Sequence, residues 1–180
     1  MRYAALLRAV NVAGHQKVSM AALRTCCEDA GLTDVRTLLQ SGNVVFESAG
    51  KRPDALESLL EKAVAKEFGF TTEFFVRSGK DLERIQAENP FPKMARDDPR
   101  RLLVLFLKDG VTAARVADLQ KAIRDREQVR GKGREIYIAY PDGVGRSRLT
   151  MPLIEKKLGT RGTGRNWNTV GKLRTLLEAT

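Results

Sequence analysis

The sequence predicts an α+β protein built from two lobes. A hydrophobic content of 42% over 180 residues is sufficient to bury a core. Segments with strand periodicity alternate with segments of helical periodicity, and a proline-containing, charged stretch separates two such series. We therefore predict a ferredoxin-like lobe over residues 1–78, a connection over 79–100, and a smaller basic lobe with a C-terminal helix over 101–180.

The first lobe has the element order β-α-β-β-α-β, which is that of a split βαβ unit. Ser19 is expected to cap the first helix and Gly31 to end it, and Gly69 ends the second helix. In such a sheet the first and third strands are central and the second lies at an edge. The predicted strands cover residues 2–9, 35–39, 44–46 and 71–76, and the predicted helices cover 19–30 and 53–68.

The second lobe is expected to have a similar β-α-β-β-α order, followed by a helix. Its two middle strands are expected to form a hairpin across Gly131-Lys132-Gly133, and Ser147 is expected to cap a helix that ends near Leu158. The predicted strands cover residues 102–107, 129–133 and 135–140, and the predicted helices cover 113–124, 147–158 and 169–178.

The net charge of +10 is confined to one half of the chain. Residues 1–90 are neutral overall, and residues 91–180 carry the whole excess. A basic balance in one lobe indicates an anionic partner such as a nucleic acid or a phosphorylated ligand. A solvated surface that confers solubility explains the same charge, and composition does not separate the two.

Residue counts exclude several classes of protein. Cys26 and Cys27 are adjacent on a predicted helix, so their side chains diverge and a disulfide between them is not expected. With His15 as the only histidine, neither a metal site nor a histidine-centred triad is expected, and no motif indicates a cofactor. No apolar run is long enough to cross a membrane, and a cytoplasmic protein is expected. Whether the protein is an enzyme is left open.

The turn that leads into the predicted helix at Ser147 is the first candidate binding site. Arg146 and Arg148 flank Ser147, although cations near a helix N-terminus oppose the helix dipole. A bound anion would explain the arrangement, with Gly143 and Gly145 letting the backbone approach it. The alternative is a polar turn with two solvated arginines.

The second candidate site surrounds the only tryptophan in the sequence. Arg165, Asn166, Trp167 and Asn168 precede the last predicted helix, which Asn168 or Thr169 is expected to cap. Trp167 could stack on a base or another planar ligand, with Arg165 on its phosphate. The alternative is that Trp167 docks the helix onto the core.

Polar residues at strand ends form a third candidate site in the first lobe. Arg8 and Asn11 follow the first strand, and Gln40, Ser41 and Asn43 follow the second. Turn chemistry alone explains Ser41 and Asn43 as well as a ligand would.

Together these motifs resemble the bacterial family labelled domain of unknown function 1697, and the resemblance extends along the chain. It implies two α+β lobes, of which the first is ferredoxin-like, and brings no established activity. Family members usually carry glycine where this chain has Ala9 and Ala13, so a less open first loop is expected. The motifs that carry the resemblance are residues 5–14, 39–46, 89–91, 143–149 and 165–169.

Three hypotheses for function follow. The first is a binding module for a nucleic acid or another polyanion, acting through the basic lobe, and the sequence favours it. The second is a small-molecule site or an enzyme between the lobes, in which Arg8, Asn11, Gln40 and Asn43 meet Arg146, Ser147 and Arg165. The third is a structural protein whose polar turns are only caps. The oligomeric state and the identity of the ligand are not predicted.

Overall fold

The computed structural model describes residues 1–8, 18–39 and 41–179. The chain divides into two compact units, of which the first is Met1–Glu83 with Leu173–Thr180 and the second is Arg84–Lys172. One sheet has four strands and the other has three, and both are antiparallel. The predicted α+β class with two lobes is confirmed.

The first unit has the predicted β-α-β-β-α-β order. Its strands lie in the order β2-β3-β1-β4, so β1 and β3 are central and β2 is at an edge, as a split βαβ unit requires. The elements are β1 (Arg2–Leu7), α1 (Met20–Asp29), β2 (Thr33–Leu38), β3 (Asn43–Glu47), α2 (Pro53–Phe68) and β4 (Phe74–Ser78).

Local signals set the ends of the first unit's helices. The Ser19 hydroxyl accepts a hydrogen bond from the Ala22 amide at 3.1 Å, which caps α1 as predicted. Gly69 ends α2 with a φ of 73°, a conformation that favours glycine. Leu56 and Leu60 of α2 are fully buried, and they pack with α1 against one face of the sheet.

The second unit places two helices against a three-stranded sheet of order β6-β5-β7. Its core joins buried leucine and isoleucine side chains of the sheet to those of α5 and α6. The helix α3 (Gly79–Ala87) begins in the first unit and ends in the second. The following elements are α4 (Pro92–Asp97), β5 (Leu102–Val111), α5 (Ala113–Ala122), β6 (Gln128–Ala139), α6 (Met151–Leu158), β7 (Gly162–Asn166) and α7 (Trp167–Glu178).

The bounds of the compact units differ from those of the predicted lobes. Arg84 donates to Glu135 at 2.6 Å and the Tyr137 hydroxyl donates to the carbonyl of Ile85 at 2.7 Å, which ties the end of α3 to β6. Arg2 donates to the carbonyl of Leu177 at 3.4 Å, which ties the end of α7 to β1. Residues 79–100, predicted as a connection with a short helix over 81–87, contain the two helices α3 and α4.

The hairpin predicted across Gly131-Lys132-Gly133 is wrong, because β6 is one strand of twelve residues. Gly131 and Gly133 have φ angles of 128° and 74°. The pairing of β5 with β6 shifts register between Phe106 and Val111, opposite these glycines. The two glycines therefore introduce a bulge, which bends the strand without reversing it.

The stretch before the last helix is the strand β7, which the predicted order of the second lobe does not contain. Its residues pair antiparallel with β5, from Leu103 opposite Asn166 to Leu107 opposite Gly162. A Cβ on Gly162 would lie 3.0 Å from the carbonyl oxygen of Phe106, and a Cβ on Gly164 would lie 2.7 Å from Leu103. The glycines serve close packing of two strands, so the second unit has the order β-α-β-α-β before α7.

Cys26 and Cys27 are buried free thiols, which confirms that they do not pair with each other. Burial raises the pKa of the Cys26 thiol and raises that of Cys27 to about 12. In the described part of the chain, no helix combines the length and the apolar character needed to cross a membrane.

Candidate functional site

Two loops of the second unit are held together by side-chain contacts. We call them the paired loops: residues 123–127 between α5 and β6, and residues 141–149 between β6 and α6. Arg148 contacts Asp125 through two hydrogen bonds of 2.9 and 2.5 Å. Arg126 donates to Asp142 at 3.0 Å. These pairs hold the two loops side by side.

A third contact between the loops is buried. The Ser147 hydroxyl donates to the Glu127 carboxylate and accepts from the Leu149 amide at 3.0 Å. Glu127 is 7% exposed, and its backbone carbonyl accepts from the Gln120 side chain at 3.1 Å. Ser147 is therefore fixed by its neighbours on both sides.

The paired loops present four exposed arginines, Arg124, Arg126, Arg146 and Arg148. The hydrogen bonds from Arg148 hold the pKa of Asp125 below its ordinary value. Asp125 and Asp142 each neutralise one arginine. Arg124 and Arg146 have no carboxylate partner among residues 1–8, 18–39 and 41–179. The surface of the loops therefore carries a positive excess.

The predicted helix cap at Ser147 is wrong. Ser147 follows a 3-10 turn over Val144–Arg146, and α6 begins at Met151. Pro152 favours this later start, because proline fits the first turn of a helix and supplies no N–H group there. Arg146 and Arg148 thus lie on an extended loop, where their charges do not oppose a helix dipole at Ser147.

Several residues of the candidate site around the tryptophan make contacts that stabilise the fold. Arg165 is 7% exposed and donates to the Thr163 hydroxyl and the Gly164 carbonyl, both at 2.8 Å. Burial lowers the pKa of Arg165 to about 10. A side chain held inside the protein in this way is poorly placed to contact a phosphate at the surface.

The cap of the last helix is neither of the two residues predicted. The Asn166 side chain accepts from the Thr169 amide at 3.0 Å and from the Thr169 hydroxyl at 3.1 Å, so Asn166 caps α7. Trp167 is half-buried as the first residue of α7, and Asn168 is exposed. A ligand role for these two residues stays a prediction.

In the first unit, the described candidate residues engage in local contacts. Arg8 forms an ion pair with Glu73 at 2.9 Å. The buried Asn43 amide donates to the Leu38 carbonyl and the Ser41 hydroxyl, each at 2.9 Å, and so shapes the β2–β3 turn. Asn11 and Gln40, like the first loop with Ala9 and Ala13, lie outside the described residues.

Sequence reasoning missed four residues of the paired loops: Arg124, Asp125, Arg126 and Glu127. Their alternating charges resemble an ordinary solvated connection between a helix and a strand. Only their contacts with the distant loop at 141–149 distinguish them from such a connection. No local sequence pattern predicts contacts of this kind. No group of three or more histidine, cysteine, aspartate or glutamate side chains able to hold a metal occurs in the part of the chain that the structure describes.

The chain is thus an α+β protein of two units, of which the second is basic. A family model described as protein of unknown function DUF1697 matches residues 1–137, so the chain belongs to that family. The motifs after residue 137 that resemble the family lie beyond the matched range.

A solved structure is similar in fold over nearly the whole length of the chain. The conserved bacterial protein SP0830 from Streptococcus pneumoniae is 25% identical, with a TM-score of 0.77, and the match covers 98% of each chain. No curated protein matches this chain.

Proposed function

We propose that the second unit binds nucleic acid, or a similar polyanion, through the paired loops. The observation that carries the proposal is the pair of exposed arginines, Arg124 and Arg146, for which no carboxylate partner is described. A surface arginine without a carboxylate partner makes no ion pair within the protein. A phosphate backbone offers such an arginine charge-assisted hydrogen bonds. The asymmetry of charge along the sequence points to the same unit.

Single-stranded nucleic acid suits these loops better than a duplex does. The loops are short and irregular, and neither offers a helix long enough to lie along a major groove. Arginine guanidinium planes can stack on exposed bases as well as contact phosphates. Single-stranded RNA is therefore the first ligand to test.

The double variant R124A/R146A tests the location of the binding surface. The variant K51A/K66A removes the same number of charges from exposed lysines of the first unit. We expect R124A/R146A to bind a labelled 20-nucleotide RNA roughly tenfold more weakly in fluorescence anisotropy, because two phosphate contacts are lost. K51A/K66A is expected to bind like the unaltered protein.

Two outcomes contradict the proposal. Equal weakening in both variants would mean that net charge alone attracts the RNA and that the loops hold no site. If the unaltered protein bound neither RNA nor DNA at 50 mM salt, the proposed function itself would be ruled out. Thermal unfolding of each variant controls for loss of structure.

A further inference from the structure

A cleft of about 330 Å³ opens beside the paired loops, inside the second unit. This volume lies at the lower end of the range typical of small-molecule sites. Ile123, Leu149 and Leu153 supply apolar wall, and Arg124 and Arg148 also line the cleft. The cleft thus combines a surface suited to a flat apolar group with cations suited to a phosphate.

Glu127 lines the same cleft and has an unused acceptor. Its Oε1 accepts from Ser147, whereas its Oε2 is buried and accepts from no group in the described part of the chain. A buried carboxylate oxygen without a donor is unfavourable, and such groups in folded proteins usually have a ligand, water or ion as partner. A ligand with N–H groups bound in this cleft would supply the missing donor.

We infer that the cleft binds the guanine base of a nucleotide, with the guanine edge donating to Glu127 and the phosphate contacting Arg124. This inference rests on the proposed binding of nucleic acid by the paired loops. A free nucleotide and an unpaired guanosine within a strand offer the same base and phosphate. The two sources are separated by the experiment below.

The choice of guanine follows from the carboxylate. A carboxylate only accepts hydrogen bonds, and guanine presents two adjacent donors, N1–H and the N2 amino group. Adenine and cytosine place a ring-nitrogen acceptor beside their amino group, and uracil places its single N–H between two carbonyls. In each of these three bases, a lone pair beside the donor would therefore face the carboxylate and repel it.

The rim of the cleft can admit the base. Arg148 is 74% exposed and lines the cleft with Glu127. Exposed ion pairs such as Arg148–Asp125 contribute little to stability. Arg148 lines the cleft together with Glu127, so its guanidinium is placed to contact the phosphate of a bound nucleotide or to stack on its ring.

The test is calorimetric titration of the protein with GMP, AMP, CMP and UMP. GMP is expected to bind at least about tenfold more tightly than the other three, since each of them sets a lone pair against the carboxylate. The variant E127Q is expected to lose about tenfold or more in affinity for GMP and little for AMP. Because E127Q also alters the contact with Ser147, A122F supplies a second variant, which adds bulk at the wall of the cleft and leaves the Glu127 carboxylate in the sequence.

Each outcome decides the inference. Equal affinities for the four nucleotides, or unchanged binding of GMP by A122F, overturn it. Selectivity for GMP that is lost in both variants supports it, and tighter binding of a G-containing RNA than of oligo(U) extends it to strands. Salt-sensitive binding of oligo(U) without preference for GMP would support the proposed function and overturn this inference. Selective binding of GMP without binding of RNA would support the guanine site and overturn the proposed function.

Discussion

Glu57 and Arg77 are charged residues buried within the first unit, with side chains 5% and 3% exposed. Their nearest charged atoms are 3.9 Å apart, and Glu57 also accepts from the Val76 amide at 2.9 Å. Charges this deep are tolerated because each compensates the other. The pair therefore holds α2 on the sheet as long as both members are present.

Removing one member of this pair should cost far more than removing a surface charge. We expect E57Q to lower the free energy of unfolding by about 3 kcal/mol, because the buried Arg77 loses a counter-charge. E67Q removes an exposed carboxylate of the same helix and is expected to change stability little. Urea denaturation of both variants measures the difference. Equal midpoints for the two variants would contradict this view of the pair.

Among the elements, β7 is the one whose packing depends most clearly on glycine. Gly162 faces the carbonyl of Phe106 and the side chains of Leu105 and Leu107, all within 3.1 Å of where a Cβ would lie. We expect G162A to destabilise the protein by about 1–3 kcal/mol, as overpacking of a core does. G79A is the control, because a Cβ on Gly79 meets nothing within 4 Å. If thermal unfolding showed the two variants to be equal, β7 would not be packed as described.

The strand β6 carries a tyrosine whose ionisation opposes folding. Burial raises the pKa of Tyr137 to about 12, and its hydroxyl donates to the Ile85 carbonyl. The folded-state pKa exceeds the unfolded value of about 10, so the stabilisation is complete below pH 10 and is lost as the pH rises to 12.

We expect Y137F to be less stable than the unaltered protein at pH 8, by about 1 kcal/mol for the lost hydrogen bond. Between pH 10 and 12 that deficit should shrink, because phenylalanine does not ionise. Chemical denaturation at pH 8, 10 and 11 measures it. A deficit that stayed constant across this range would show that Tyr137 is not protected by burial.

The elements also show which parts of the fold a sequence can predict. The first unit was predictable in its order and at the ends of its helices, since Ser19 and Gly69 act locally. The glycines of β6 and β7 misled the prediction. Glycine is equally suited to a turn, a bulge and a close approach of strands, and only the neighbouring strand β5 decides among them.

At the scale of the whole molecule, the uneven charge was predictable and the shape of the candidate site was not. The sequence identified Arg146, Ser147 and Arg148 as candidates but assigned them to a helix N-terminus. The partners of Ser147 and Arg148, which are Glu127 and Asp125, lie about twenty residues away in the chain. Contacts between two loops depend on how α5, β6 and α6 pack, which local patterns do not encode.

The salt dependence of RNA binding tests the central claim most directly. The affinity of the unaltered protein and of R124A/R146A for a single-stranded RNA would be measured from 50 to 300 mM potassium chloride. We predict a linear fall of log affinity with log salt, with a slope of about 0.7 for each contacted phosphate, and a shallower slope for the variant by about 1.4. Identical slopes for the two proteins, or binding insensitive to salt, would contradict an electrostatic site on the paired loops.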